Sequence, residues 1–191
     1  LPLDLTEECC HQHPTLLGSS PFDVEQIKYL PIASNRETKL MLYNRFYING
    51  EWLEPREHSL KDIVNPATET VLGQVALGSP ADIDRAVSAA AKAFESWSVT
   101  TIKERMALLD RIINCFNRRI DEMAEAISAE MGAPMNMARN SQAPMGTAHL
   151  EVARNVLGSF DFDETLDGSH VFREPVGVCG FITPWNWPVN Q

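Results

Sequence analysis

Apolar residues recur at helical spacing through the middle of the chain and at strand-like spacing on either side of it. Ile83, Val87, Ala90, Phe94 and Trp97 alternate gaps of four and three, which places them on one face of a helix. Ser79, Pro80 and Asp82 mark its start: a hydroxyl suited to capping, a proline suited to the first helical position, and a carboxylate near the positive end of the dipole. A second helix opens on the capping box Thr101-Ile102-Lys103-Glu104. Its stripe runs Ile102, Met106, Leu109, Ile113, Phe116, Ile120, Met123 and Ile127, and Gly132 and Pro134 stop it. A methionine-bearing stripe of this kind reads as core packing, with Cys115 beside it as a small buried or half-buried thiol. Met135 to Gly158 keeps the period more weakly. Pro144 either kinks this segment or begins a new helix after Gln142 and Ala143, and Met145, Ala148, Val152 and Val156 carry the period onward. His149 falls close to this face and reads as a satisfied structural histidine rather than a catalytic base.

The flanks read as β-structure. Phe46 to Leu53 forms two aromatic-rich half-strands around Asn49-Gly50, the pair favoured where both turn residues need positive φ. Ile63-Val64-Asn65-Pro66 and Val71-Leu72-Gly73-Gln74-Val75 give two more short strands around a turn, a structural layer at a domain edge. Asp167-Gly168, between Thr165-Leu166 and His170-Val171-Phe172, is a second hairpin signal. Near the end, Val176, Val178, Phe181 and Ile182 form an uncharged, partly β-branched run between Pro175 and Pro184. That composition suits a strand buried on both faces, with Cys179 a packed strand residue whose thiol burial keeps unreactive. Thr183-Pro184-Trp185-Asn186-Trp187-Pro188 follows as a loop holding one amide between two indoles. Ligands collect at the carboxyl ends of strands in open α/β sheets.

Composition narrows the function classes. The formal charge of −10 argues against nucleic acid and anionic membrane surfaces, and no apolar run approaches the roughly 20 residues of a membrane span. Residues 1 to 40 show no sustained period. Cys9-Cys10-His11-Gln12-His13 has ligand chemistry but lacks the usual gap between cysteines and a second cluster, so no metal is expected. The four cysteines show no disulfide framework, and residues 1 to 20 lack the features of a signal or transit peptide. A cytoplasmic location is the expectation.

Several motifs, in order, carry a family resemblance. Tyr47-Ile48-Asn49-Gly50-Glu51-Trp52, Asn65-Pro66-Ala67-Thr68-Glu69, Glu130-Met131-Gly132, Glu174-Pro175-Val176-Gly177-Val178 and Ile182-Thr183-Pro184-Trp185-Asn186 resemble the N-terminal half of an aldehyde dehydrogenase. The resemblance covers about residues 45 to 191. It implies an α/β fold: the N-terminal part of an aldehyde dehydrogenase-like fold, with edge β-hairpins, long amphipathic helices and the first strand of a Rossmann-like parallel sheet. The implied divisions are an irregular N-terminal extension over 1–44, the N-terminal part of a cofactor-binding domain over 45–159, an oligomerisation hairpin over 160–173, and the start of the sheet over 174–191. Met41, just ahead of the first matching motif, is a candidate natural start.

The implied reaction is NAD(P)-dependent oxidation of an aldehyde to a carboxylic acid, beginning with attack of a cysteine thiolate on the carbonyl. Asn186 is then the catalytic amide, donating to an oxyanion that appears only as the transition state is approached. Asparagine suits the task because it donates without ionising. Ile182, Thr183, Pro184 and Trp185 line the side of the loop that meets NAD or NADP. No G-x-G-x-x-G turn is present. The family's lysine segment, glycine-rich turn, general-base glutamate and nucleophilic cysteine belong after position 191. The expectation is a fragment of a larger enzyme, homo-oligomeric when full length and inactive as this fragment alone. The alternative is a short non-catalytic subunit or interaction module that binds a partner through its hairpins and sheet edge.

Overall fold

A computed structural model of the protein describes residues 41–57 and 59–190, and the Cys9–His13 cluster lies outside them. Strand β1 (Met41–Tyr43) falls within residues 1–44, where an irregular extension was expected. It pairs in parallel with β5 (Thr70–Leu77), and β4 (Ser59–Asn65) pairs antiparallel on the other side of β5. Between β1 and β4, strands β2 (Phe46–Ile48) and β3 (Glu51–Leu53) form a separate hairpin. Asn49 at φ 55° and Gly50 at φ 80° supply the two positive angles that its turn needs. Tyr47 and Trp52 pair across it with ring centroids 5.3 Å apart. Strands β6 (Asp163–Leu166) and β7 (Ser169–Phe172) repeat the device with Asp167 at φ 47° and Gly168 at φ 80°.

Helix α1 (Pro80–Trp97) begins where expected, after Ser79. The first part of its apolar stripe nevertheless faces solvent, with Ile83 61% exposed and Val87 and Ala90 also exposed, while Phe94 and Trp97 are half-buried. The buried residue of α1 is Asp82, whose carboxylate accepts from the Ser79 N–H and hydroxyl, at 3.1 and 2.8 Å, and from the Arg56 N–H at 3.0 Å. One acidic side chain therefore caps the helix and ties the loop after β3 to it. Burial alone would raise this carboxyl's pKa. The bonds from Ser79 and Arg56 and the Arg85 guanidinium outweigh that cost and hold the pKa below the ordinary value.

The long second stripe is two helices. Helix α2 (Ile102–Arg118) ends at Arg119, whose backbone leaves the helical region at φ −116° and ψ 18°, with its N–H turned to the Phe116 carbonyl. Helix α3 (Ile120–Met131) then starts afresh, with Asp121 and Glu122 in its first turn and Arg119 paired to Glu122 at 2.7 Å. The short α4 (Met135–Met137) runs into a π-helical turn, Ala138–Gln142, and α5 (Ala143–Ser159) follows with Pro144 in its first turn. This wide turn accommodates a proline that cannot donate to the preceding helical turn.

The face of α5 that packs is not the expected one. Val152 and Val156 are exposed, as is His149, while Ala143, Gly146 and Thr147 are buried. Close approach explains the choice. At Gly146 an added Cβ would sit 2.9 Å from the Phe116 ring of α2, and Arg154 of α5 holds Asp110 of α2 at 2.9 and 3.2 Å. Cys115 is half-buried, as expected. Four alanines, Ala124, Ala133, Ala138 and Ala143, make the core together with Ile127, and Ile120, Met123, Met131 and Val189 pack against them. Among the described residues, no helix is long and apolar enough to cross a membrane.

The mixed α/β class, the edge hairpins and the amphipathic helices stand as expected. The strand over Val176–Ile182 does not: these residues form no strand, and Gly177 takes φ 108°. A parallel strand is held by hydrogen bonds from its neighbours, and none of the described strands pairs with this run. Cys179 is accordingly exposed and not packed.

Gly132 joins the two layers. It closes α3 at φ 73°, and a Cβ there would lie 2.9 Å from Pro66 Cγ and 3.1 Å from the Ala67 nitrogen. Both the backbone angle and the contact exclude a side chain. Gly132→Ala should therefore cost about 1–3 kcal/mol of stability, measured by urea denaturation. Asp82 gives a pH prediction. Its pKa is lower folded than unfolded, so its contribution is complete above the unfolded value near pH 4 and fades as pH falls through the folded one. Asp82→Asn should lower the melting temperature at pH 7, and the gap to the parent should narrow as both are acidified below about pH 4.

Candidate active site

The residues that precede Asn186 contribute little to holding it. Ile182 is fully exposed, Trp185 is 80% exposed, and residues 174–184 adopt no regular structure. Anchorage begins at Asn186 itself and continues beyond it. The Asn186 main-chain carbonyl accepts from Gln142 Nε2 at 3.5 Å. Trp187 is half-buried, the Asn190 N–H closes a turn on the Trp187 carbonyl at 3.0 Å, and Val189 packs onto the alanine-lined core. The Asn186 residue remains exposed, above a backbone that is tied down.

An open cavity of about 460 Å³ lies beside this loop. Val64 and Pro66 supply one wall from β4 and the following turn, Met123, Ile127 and Met131 supply another from α3, and Trp185, Pro188 and Val189 close the third. The turn that brings Pro66 here is locally determined. Asn65 Oδ1 accepts from the Ala67 N–H at 2.8 Å, and the Glu69 N–H returns to the Asn65 carbonyl at 2.8 Å. Three of the motifs quoted above thus meet in space: Asn65-Pro66-Ala67, Glu130-Met131-Gly132 and the Asn186 loop.

Glu130 is the one ionisable residue in that lining. Burial against the cavity wall raises its pKa. Tyr43 is also pushed up, first by burial and then by the Glu130 charge. Among the described residues, no group of three or more His, Cys, Asp or Glu side chains could hold a metal ion. The five expected site residues lie consecutively on one exposed stretch, with Asn186 nearest the anchored turn.

Sequence reasoning did not single out Gln142 or Glu130 for the site. Gln142 follows the polar run Arg139-Asn140-Ser141 and carried no sequence signal of burial. Glu130 stood in a quoted motif, but nothing in its spacing tied it to a cavity.

Comparison with known proteins identifies the frame. A family model described as the aldehyde dehydrogenase family matches residues 52–191. The chain belongs to that family. It is similar to a 3-succinoylsemialdehyde-pyridine dehydrogenase of a Pseudomonas species, 45% identical over 150 residues, which are 78% of this chain and 31% of the relative. Among solved structures it is similar to an aldehyde dehydrogenase of Bartonella henselae (TM-score 0.77, 37% identity), with 80% of this chain matching 33% of that one. It is also similar to a cysteine-to-alanine variant of aldehyde dehydrogenase C of Pseudomonas syringae, solved with NAD+ and octanal (TM-score 0.76, 42% identity), with 81% of this chain matching 33% of that one. The chain spans about a third of the length of the curated relatives it matches.

Glu130 gives a prediction of opposite sign to that of Asp82. Its folded pKa is raised, so the ionised form costs stability once pH exceeds the unfolded value near 4.3. Glu130→Gln should raise the melting temperature at pH 7 and leave it nearly unchanged at about pH 4, as followed by calorimetry.

Proposed function

We propose that this chain serves an NAD(P)+-dependent aldehyde dehydrogenase that converts an aldehyde to a carboxylic acid, with Asn186 as its oxyanion-stabilising amide. The observation that carries this reading is the position of Asn186. It is exposed on a loop whose main chain is fastened at Asn186 itself. As a thiolate adds to the aldehyde carbon, the carbonyl π pair moves onto oxygen, and the Asn186 N–H donates to the charge that develops there. Because the donor is neutral, it adds no competing titration.

From Pro175 to Asn190 no side chain carries a charge. Exposed Ile182, Thr183, Pro184 and Trp185 fit an uncharged ring of the cofactor, and they offer no cation for its phosphates. The cofactor, when bound, supplies the hydride acceptor. NAD+ in the Pseudomonas syringae structure and in an aldehyde dehydrogenase of Mycobacterium tuberculosis favours NAD on our reading, and octanal in the former favours an aldehyde substrate. Residues 45–159 would be the N-terminal part of the cofactor-binding domain. The β6–β7 hairpin, with Leu166 and Phe172 exposed, would serve homo-oligomer assembly. On this reading the chain on its own is inactive.

In the full-length enzyme, Asn186→Ala should lower kcat by about 10²–10³ while the cofactor Kd stays within about threefold of the parent. Steady-state kinetics and cofactor titration test this together. An unchanged kcat overturns the assignment.

A further inference from the structure

We infer that Gln142 is the positioning residue for the Asn186 loop, an inference that rests on the reading of Asn186 as the oxyanion donor. Gln142 is 1% exposed and is the largest fully buried side chain among the described residues. Its neighbours on the core side are Ala138 and Ala143, both buried, so the amide sits in an apolar layer. One of its polar atoms, Oε1, is buried with no partner among the described residues, while Nε2 reaches the Asn186 carbonyl at 3.5 Å and Met131 Sδ at 3.9 Å. A methionine or leucine would fill the same space without a stranded acceptor. Stability alone therefore gives no reason for glutamine here. The bond to Asn186 does.

Local backbone geometry makes that bond available. Gln142 is the last residue of the π-helical turn, whose widened spiral precedes Pro144. Single π-turns inside helices are frequent at functional sites. The amide grips the carbonyl of the same residue whose side chain carries the donor, and so constrains the peptide plane beside Asn186. Val189, packed on the same core layer, fixes the far side of the turn. A displacement of the reacting geometry by about 1 Å can cost on the order of 10² in rate, so a single tether at this carbonyl can govern turnover without touching substrate.

The test is Gln142→Met in the full-length enzyme, a swap that roughly conserves volume and removes both the donor and the stranded oxygen. The melting temperature should be unchanged or higher. Amide hydrogen exchange across residues 183–190 should accelerate while α2 and α3 stay as protected as in the parent. Turnover should fall about ten- to a hundredfold, with the cofactor Kd and the substrate KM within about threefold. In an Asn186→Ala background the same substitution should cost less than about twofold, because its effect passes through Asn186. Gln142→Leu is a second variant: it also removes the Nε2 donor and introduces no charge, and its turnover should fall as that of Gln142→Met does. A lower melting temperature, with activity lost only in proportion to folded protein, overturns the inference, as does an equal loss in the Asn186→Ala background. If Asn186→Ala itself leaves kcat intact, the functional reading fails. If Asn186→Ala is costly and Gln142→Met is not, only the tether fails.

Discussion

The structure turns on the contact between the Pro66–Ala67 turn and the end of helix α3. There the sheet layer meets the helix layer with no room for a β-carbon on Gly132. That approach places Pro66 and Val64 opposite Met123, Ile127 and Met131, and so creates two walls of the cavity beside Asn186. It also explains why an Asn-Pro-Ala turn and a Glu-Met-Gly helix end, more than sixty residues apart in the chain, belong to one unit. The turn is stiffened by the Asn65 side chain and the helix end is committed by a left-handed cap. Both surfaces are therefore shaped by local bonds.

Behind this junction the helices pack through small residues. Ala124, Ala133, Ala138 and Ala143 let backbones approach, and Gly146 admits the Phe116 ring. Such a core is thin, and larger apolar side chains are left outside it, Ile83 and Val152 among them. Within a thin alanine layer a buried glutamine is costly: an unsatisfied buried acceptor is worth about 1–3 kcal/mol. The helix layer accepts that cost at the position that touches the Asn186 main chain.

Local chemistry was the readable part of the sequence. Asn49-Gly50, Asp167-Gly168, the Ser79-Pro80 start and the Thr101–Glu104 box all act over a few residues, and each produced the element it implies. The stripes were less informative because amphipathic period identifies a helix without naming its partner. On α5, the glycine and alanine face packed in place of the valine face, since close approach to α2 favours the smaller side chains. The break at Arg119 was hidden because the apolar period continues through it from Phe116 to Ile120. Asn186 was singled out by its motif, whereas Gln142 required the fold. Forty-four residues separate Gln142 from its acceptor, and no local pattern spans that distance.

The run from Val176 to Ile182 shows how composition and context divide the work. Its residues suit a buried strand, yet backbone pairing is what makes a strand, and no described strand supplies it. If that run were what located Asn186, the amide would be as unconstrained as Ile182 and Trp185 are exposed. Its main chain is instead tied to the Gln142 side chain at the Asn186 carbonyl, and Val189 packs onto the core beyond it. If Gln142 positions the loop, the placement of the Asn186 main chain is a property of the helix layer, and specifically of the π-turn that carries Gln142 to it. The run ahead of it is uncharged and exposed, so the tie on the Asn186 main chain comes from the helix side.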